Sequence, residues 1–334
     1  MNELNRIAGA VYGQAVGDAL GMPSELWPRE RVQSFFGSIT DFLDGPAENN
    51  AACYFTRGQF TDDTSMALAV ADAVIEKNGQ IDPGLIGRNI LSWAERIDAF
   101  SKNILGPTSK IALNAIRDGI SLDELENNGL TNGAAMRIAP IATILSSSCQ
   151  DTFIEEVYQL GYATHKSDVA LAGAVAVGWA VTRAVEGVDW ETIKQELPAI
   201  ADKAQKRKVT TFSPSMASRI KLGLKLVADS ESEQEASEKI YGILGAGTST
   251  IESVPAALAM VELAKTDPNT CALLCANLGG DTDTIGAMAT AICGALQGVD
   301  AINPNYLETI SRCNEVKLDS YVPQLQQLRI QRRG

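Results

Sequence analysis

The chain has 334 residues, 45 % of them hydrophobic, and a formal net charge of −13. That length and composition can bury a large core, while so acidic a chain is a poor non-specific binder of nucleic-acid polymers, because phosphate contacts need Lys and Arg. No run of about 18 or more apolar residues offers a membrane span. The six cysteines (Cys53, Cys149, Cys271, Cys275, Cys293 and Cys313) show no zinc-ribbon spacing. Met1-Asn2-Glu3 leads directly into an amphipathic stretch rather than a secretory signal. A reduced, cytoplasmic location is the expectation.

Helical periodicity dominates from the start. Leu4, Ile7, Ala8, Val11 and Tyr12 open a first helix that runs towards Gly17-Asp18-Ala19-Leu20-Gly21, and its many Gly and Ala residues predict a close helix–helix approach. Residues 22–60 carry Pro23, Pro28, Gly37, Gly45, Pro46 and Gly58 and read as irregular, ordered in part by short elements. A helix over 63–77 follows, and Asp82-Pro83 caps and opens another. Helices are further predicted over 108–118, 132–147, 151–162, 168–186, 190–205, 214–228, 232–242, 251–265, 268–277, 283–297, 303–314 and 319–331. The basic run Lys203 to Lys208 reads as the solvated end of a helix. Cys271 and Cys275 lie four apart, on one core-facing helical side. Strand-like alternation is nearly absent, and neither a repeat period nor a linker divides the chain. The expected fold is all-α, one domain over residues 1–334.

Two stretches carry chemistry. Phe60-Thr61-Asp62-Asp63-Thr64-Ser65 precedes the helix at Met66, Ala69, Val70, Ala73 and Val74; Gly279-Gly280-Asp281-Thr282-Asp283-Thr284 precedes the one at Ile285, Met288, Ala289, Ile292 and Leu296. A helix cap needs one hydroxyl or carboxylate, and each cluster has several. Four carboxylates brought together would repel unless cations, helped by the helix N-termini, compensate them. An all-oxygen donor set suits Mg²⁺ or Mn²⁺ rather than zinc, and a pair of such clusters predicts two metal ions. His165 is the one histidine, which removes His-rich zinc sites and a two-His relay. Neither a P-loop nor a Rossmann fingerprint is present. Glu25, between Pro23 and Pro28, is a carboxylate whose burial would raise its pKa and suit it to acid–base work.

In order along the chain, Gly-Asp-Ala-Leu-Gly (17–21) with Glu25, Phe-Thr-Asp-Asp-Thr (60–64), Thr-Asn-Gly-Ala-Ala-Met-Arg (131–137), Thr-His (164–165), Glu-Ser-Val-Pro (252–255) and Gly-Gly-Asp-Thr-Asp-Thr (279–284) resemble the ADP-ribosylglycohydrolases of the dinitrogenase-reductase-activating type. The resemblance runs from about residue 5 to about residue 300. It implies a compact multi-helix domain and a hydrolase that cleaves the glycosidic bond of ADP-ribosyl groups on a protein or a small conjugate. Thr61, Asp62, Asp63, Asp281, Asp283 and Thr284 are the implied ligands of two Mg²⁺ or Mn²⁺ ions, with Thr64 and Thr282 behind them. Glu25, Asp62 and Asp283 are the implied catalytic residues; backbone N–H groups of Asn132, Gly133, Ala134 and Ala135 would cradle the diphosphate, His165 would contact ribose or phosphate, and Thr248 would lie near the adenosine. Two other outcomes stay open: hydrolysis of a free nucleoside or nucleotide riboside, and an inactive member that keeps the scaffold as a binding or structural protein.

Overall fold

Four glycines spaced by four in the first helix, Gly9, Gly13, Gly17 and Gly21, lie along one line, and that line decides the centre of the fold. In the computed structural model, which describes residues 1–102, 104–207 and 209–333, this helix (α1, Glu3–Gly21) packs against Thr282–Gln297. A Cβ on Gly9 would stand 2.0 Å from the carbonyl oxygen of Gly294, and one on Gly17 would stand 2.0 Å from that of Gly286. The Gly13 line meets Thr290, and Gly21 meets Thr282. The two helices therefore run antiparallel in backbone contact, as the small-residue pattern predicts. The N-terminus of Thr282–Gln297 is thereby set beside the C-terminal turns of α1.

The described residues form seventeen α-helices and no strand. After α1 come α2 (Arg29–Phe36), α3 (Asp62–Glu76), α4 (Pro83–Arg96), α5 (Pro107–Arg117), α6 (Gly133–Met136), α7 (Ala139–Ala142), α8 (Gln150–Gly161) and α9 (Asp168–Val185). Then follow α10 (Trp190–Gln205), α11 (Met216–Ala228), α12 (Glu233–Lys239), α13 (Thr250–Leu263), α14 (Pro268–Ala276), α15 (Thr282–Gln297), α16 (Pro304–Cys313) and α17 (Tyr321–Gln331). Most starts follow from their caps: Asp82 accepts from Leu85 N, Asp189 from Thr192 N and Asp267 from Thr270 N. The fold is all-α and compact, with one extensive core drawn from nearly every helix.

The structure departs from the sequence reading over 132–147 and at α9. The predicted helix over 132–147 is two four-residue helices, α6 and α7, broken at Arg137 and Ile138; Pro140, in the first turn of α7, has no N–H to donate back to residue 136 and continue one helix. The long irregular stretch is ordered in part by a short element, as the sequence reading has it: α2, whose Phe35 and Phe36 rings pack with that of Trp27 just before it. Helix α9 is long and apolar enough to cross a membrane by composition alone, yet 94 % of it is buried inside the fold, where helices surround it. The basic run from Lys203 begins in the last turn of α10, and Lys203 and Arg207 both pair with Asp151 there; Lys208 lies outside the described residues. Cys271 and Cys275 are buried in the core on α14.

Candidate metal centre and active-site cleft

Three helix ends converge because of the α1–α15 contact. Helix α1 brings Asp18, the start of α3 brings Thr61, Asp62 and Asp63, and the start of α15 brings Asp281, Asp283 and Thr284. Glu25 arrives on the turn after α1, which is anchored by Leu26 N donating to Gly280 O at 2.7 Å and Gly280 N donating to Trp27 O at 2.8 Å. Gly280 adopts φ +84°, and a Cβ there would lie 2.1 Å from the Ala246 carbonyl oxygen, so the turn requires glycine.

Carboxylate oxygens of Asp18, Asp63 and Asp283 lie within 4.8 Å of one another, and so do those of Glu25, Asp281 and Asp283. Asp283 belongs to both groups. The Thr61 hydroxyl sits between the carboxylates, 2.9 Å from Asp18 Oδ1, 3.1 Å from Asp63 Oδ2 and 3.3 Å from Asp283 Oδ2. Asn132 Nδ2 donates to Asp281 Oδ2 at 2.6 Å. Asp63 Oδ1 is buried without a hydrogen-bond partner. Burial pushes every one of these carboxyls up. Asp18 and Asp281 rise to about 6 and Asp62 to about 8, while Glu25, Asp63 and Asp283 rise well above the usual carboxylate range, their neighbours' charges adding to the burial. An orphaned buried oxygen among crowded carboxyls is the signature of a cation site, and the all-oxygen donor set suits a hard divalent ion. These residues fit a metal.

Asp18 was missed as a site residue at the sequence level. It accepts from Thr61 N at 2.9 Å and Thr64 N at 3.0 Å, and from the Thr64 hydroxyl at 2.6 Å, so it caps α3 while facing the metal groups. Its signal was present in the first motif, but a carboxylate inside a helix gives no hint of what it faces. The Thr64 hydroxyl bonds Asp18, and the Thr282 hydroxyl donates to Gly21 O at 2.8 Å and ties α15 to α1. Thr284 N donates to Asp283 Oδ1 at 2.9 Å from within α15.

A cleft of about 150 Å³ opens onto these groups. Glu25, Asp62, Asp63, Asp281, Asp283 and Thr284 line it, as do Thr131, Asn132, Gly133 and Thr248. Ile104 to Pro107 cover another side. The diphosphate cradle read from the sequence is only partly there. Asn132 N donates to Thr248 O and Ala135 N to Asn132 O, which leaves the amides of Gly133 and Ala134 without such a bond among the described residues. Ala134 and Ala135 are buried in the core, outside the cleft lining. His165, expected at the ligand, sits 2 % exposed behind Gly133 and reaches the cleft only through the Thr131 hydroxyl, 3.1 Å from its Nε2. The reason is packing: a Cβ on Gly133 would stand 2.5 Å from the His165 ring, so the turn covers the imidazole.

A family model described as ADP-ribosylglycohydrolase matches residues 1–333, and the chain belongs to that family. It is 61 % identical to YegU of Escherichia coli (strain K12), over 98 % of each chain, a protein whose name states no activity. It is 26 % identical to the ADP-ribosylarginine hydrolase Tri1 of Pseudomonas putida (strain GB-1), over 92 % of this chain and 75 % of that one. Among solved structures it resembles a chain of an "ADP-ribosylglycohydrolase-related protein complex", with a TM-score of 0.69 at 23 % identity and coverage of 98 % and 99 %, a likeness of fold.

Proposed function

We propose that the protein is a metal-dependent hydrolase that cleaves the glycosidic bond of ADP-ribosyl groups, on a protein or a small conjugate, with two Mg²⁺ or Mn²⁺ ions. The observation that carries the reading is the pair of carboxylate groups sharing Asp283 at the floor of the cleft. Asp18, Asp63 and Asp283 would hold one ion, and Glu25, Asp281 and Asp283 the other, with Thr61 and Thr284 adding hydroxyl oxygens; Asp62, implied as a ligand by the family resemblance, belongs to neither carboxylate group and lines the cleft beside them. Divalent cations there would supply positive charge that grips ribose hydroxyls and makes bound water more acidic. Asn132 holds the Asp281 carboxylate in place through its amide.

Cleavage at the anomeric carbon builds positive charge on the sugar. Glu25 lines the cleft on a turn rather than inside a helix, so its carboxyl can face both the ions and the sugar. It is the residue assigned to take and return the proton. Glu25→Gln should need more metal to saturate but, at saturating Mg²⁺ or Mn²⁺, should keep ADP-ribose binding and lower single-turnover hydrolysis by about 10²–10⁴-fold. Turnover within about threefold of the parent would remove Glu25 from that role.

A second reading has one observation behind it. Drug-sized ligands usually occupy about 300–1,000 Å³, and the enclosed cleft is about 150 Å³. A ribose would fill it, and the remainder of ADP-ribose would lie outside it, past Thr248. A free riboside without the diphosphate would also fit. Side-by-side assays of ADP-ribosylated protein, small ADP-ribose conjugates and nucleosides decide between them; nucleoside turnover without ADP-ribosyl turnover selects the second.

A further inference from the structure

Arg137 is 2 % exposed, and no ion pair reaches it among the described residues. Its Nη2 donates to the Thr164 hydroxyl, while Nε and Nη1 are buried with no partner. A buried guanidinium without a carboxylate is costly to keep. What it faces gives it a role. Thr164, fully buried, has its oxygen 2.8 Å from His165 Nδ1. Nε2 on the opposite side of the ring is 3.1 Å from the Thr131 hydroxyl, which donates to Thr108 Oγ1 at 2.9 Å.

The directions in this chain follow from the donor inventory. A guanidinium only donates, so Thr164 must accept from it. The buried Thr164 proton then needs an acceptor, and among the described residues the one in reach is His165 Nδ1. We propose that Arg137 and Thr164 act as positioning residues that hold His165 as the neutral Nε2–H tautomer, so that the Thr131 hydroxyl at the cleft accepts from the ring and offers its proton outward. With one lone pair taken by the ring, Thr131 turned from Thr108 to a ligand would donate, and so would select an acceptor such as a phosphoryl or carbonyl oxygen. Burial and the Arg137 charge both hold the imidazole well below its ordinary pKa, so it stays uncharged. The ring also packs on Gly133, so the same device fixes the turn that carries Thr131 and Asn132. The tautomer stands on geometry alone; only the choice of ligand rests on the functional reading above.

His165 is the one histidine in the chain, so a protein labelled with ¹⁵N at its imidazole gives a single ring pattern. Long-range proton–nitrogen correlation should show Nε2 protonated and Nδ1 bare in the parent and in Thr164→Ser. Thr164→Val removes the donor to Nδ1 and should lose that single pattern; ADP-ribose affinity should fall by about five- to tenfold, with Mn²⁺ binding kept. Thr164→Ser should restore both. Nδ1–H or a charged ring in the parent, or an unchanged ring in Thr164→Val, overturns the assignment. A changed ring with unchanged ADP-ribose affinity overturns the link to the cleft. Should Thr164→Val fail to fold, Thr131→Val serves: it should keep Nε2–H, because Nδ1 still accepts from Thr164, and weaken ADP-ribose by a similar factor; an altered tautomer or full affinity there counts against the proposal. A parent that shows Nε2–H but binds no ADP-ribose refutes the ADP-ribosyl reading while leaving the tautomer standing.

Discussion

Asp18 accepts from two backbone N–H groups and two hydroxyls at the start of α3, and one of its oxygens also belongs to a carboxylate group that could hold a metal ion. Asp18→Asn keeps one carbonyl acceptor for the cap and loses the charge. Divalent affinity should drop at least as far as for loss of a supporting partner, about 10–100-fold, with helical circular dichroism retained. Isothermal titration with Mn²⁺ tests this; unchanged affinity would leave Asp18 as a cap alone. The raised carboxyls also set a pH dependence. Asp18 and Asp281 near 6 and Asp62 near 8 keep protons in the folded, metal-free protein that the unfolded chain releases near 3.8. The native state binds more protons, so stability of the metal-free protein should fall as pH rises from about 4 to about 8. Denaturation at several pH values with chelator present checks the slope, and saturating Mg²⁺ or Mn²⁺ should reduce it.

The glycine line of α1 is a test at the level of elements. Gly→Ala in a helix is ordinarily stabilising by roughly 0.5–1 kcal/mol. At Gly17 the added Cβ meets the Gly286 carbonyl oxygen at 2.0 Å, so the helices must separate. Overpacking costs about 1–3 kcal/mol and sometimes more, so packing outweighs propensity. Gly17→Ala should be destabilised by urea titration and should bind Mn²⁺ more weakly, since α1 and α15 carry ligands on both sides of that contact. A variant as stable as the parent would refute the contact. Helix α6 makes a matching case: Ala134→Leu enters a buried site and should lower stability by about 1–3 kcal/mol.

On the scale of the whole molecule, the carboxylates that could hold a metal ion come from residues 18 to 283, and only the folded chain brings them together. A cation that binds only the native state stabilises it by about 2.7 kcal/mol at one hundred times its Kd. Mg²⁺ or Mn²⁺ should therefore raise the melting temperature in proportion to the logarithm of concentration. Asp283→Asn, which removes the carboxylate common to both groups, should abolish most of the shift. A full shift in that variant would place the ions elsewhere. The C-terminal helix contributes to the same closure: Arg329 is 2 % exposed, pairs with Glu3, and donates to the carbonyl oxygens of Thr143 and Leu145, locking α17 onto α1.

The sequence by itself determined what is local. Helical periodicity, Asp caps and Gly or Pro breaks placed most helices, because caps and amphipathic spacing act within a few residues. The two hydroxyl–carboxylate clusters were legible because each is contiguous. Tertiary structure decided what depends on distant partners. It turned Asp18 from a helix residue into a member of the centre, brought Glu25 into a carboxylate group, drew His165 back behind Gly133, and buried Ala134 and Ala135. It also broke the helix predicted over 132–147. The meeting of Asp18 with Asp283 follows from the α1–α15 backbone contact, and the place of His165 from packing around Gly133; spacing along the chain carries the residue types but not the distances between elements far apart in sequence.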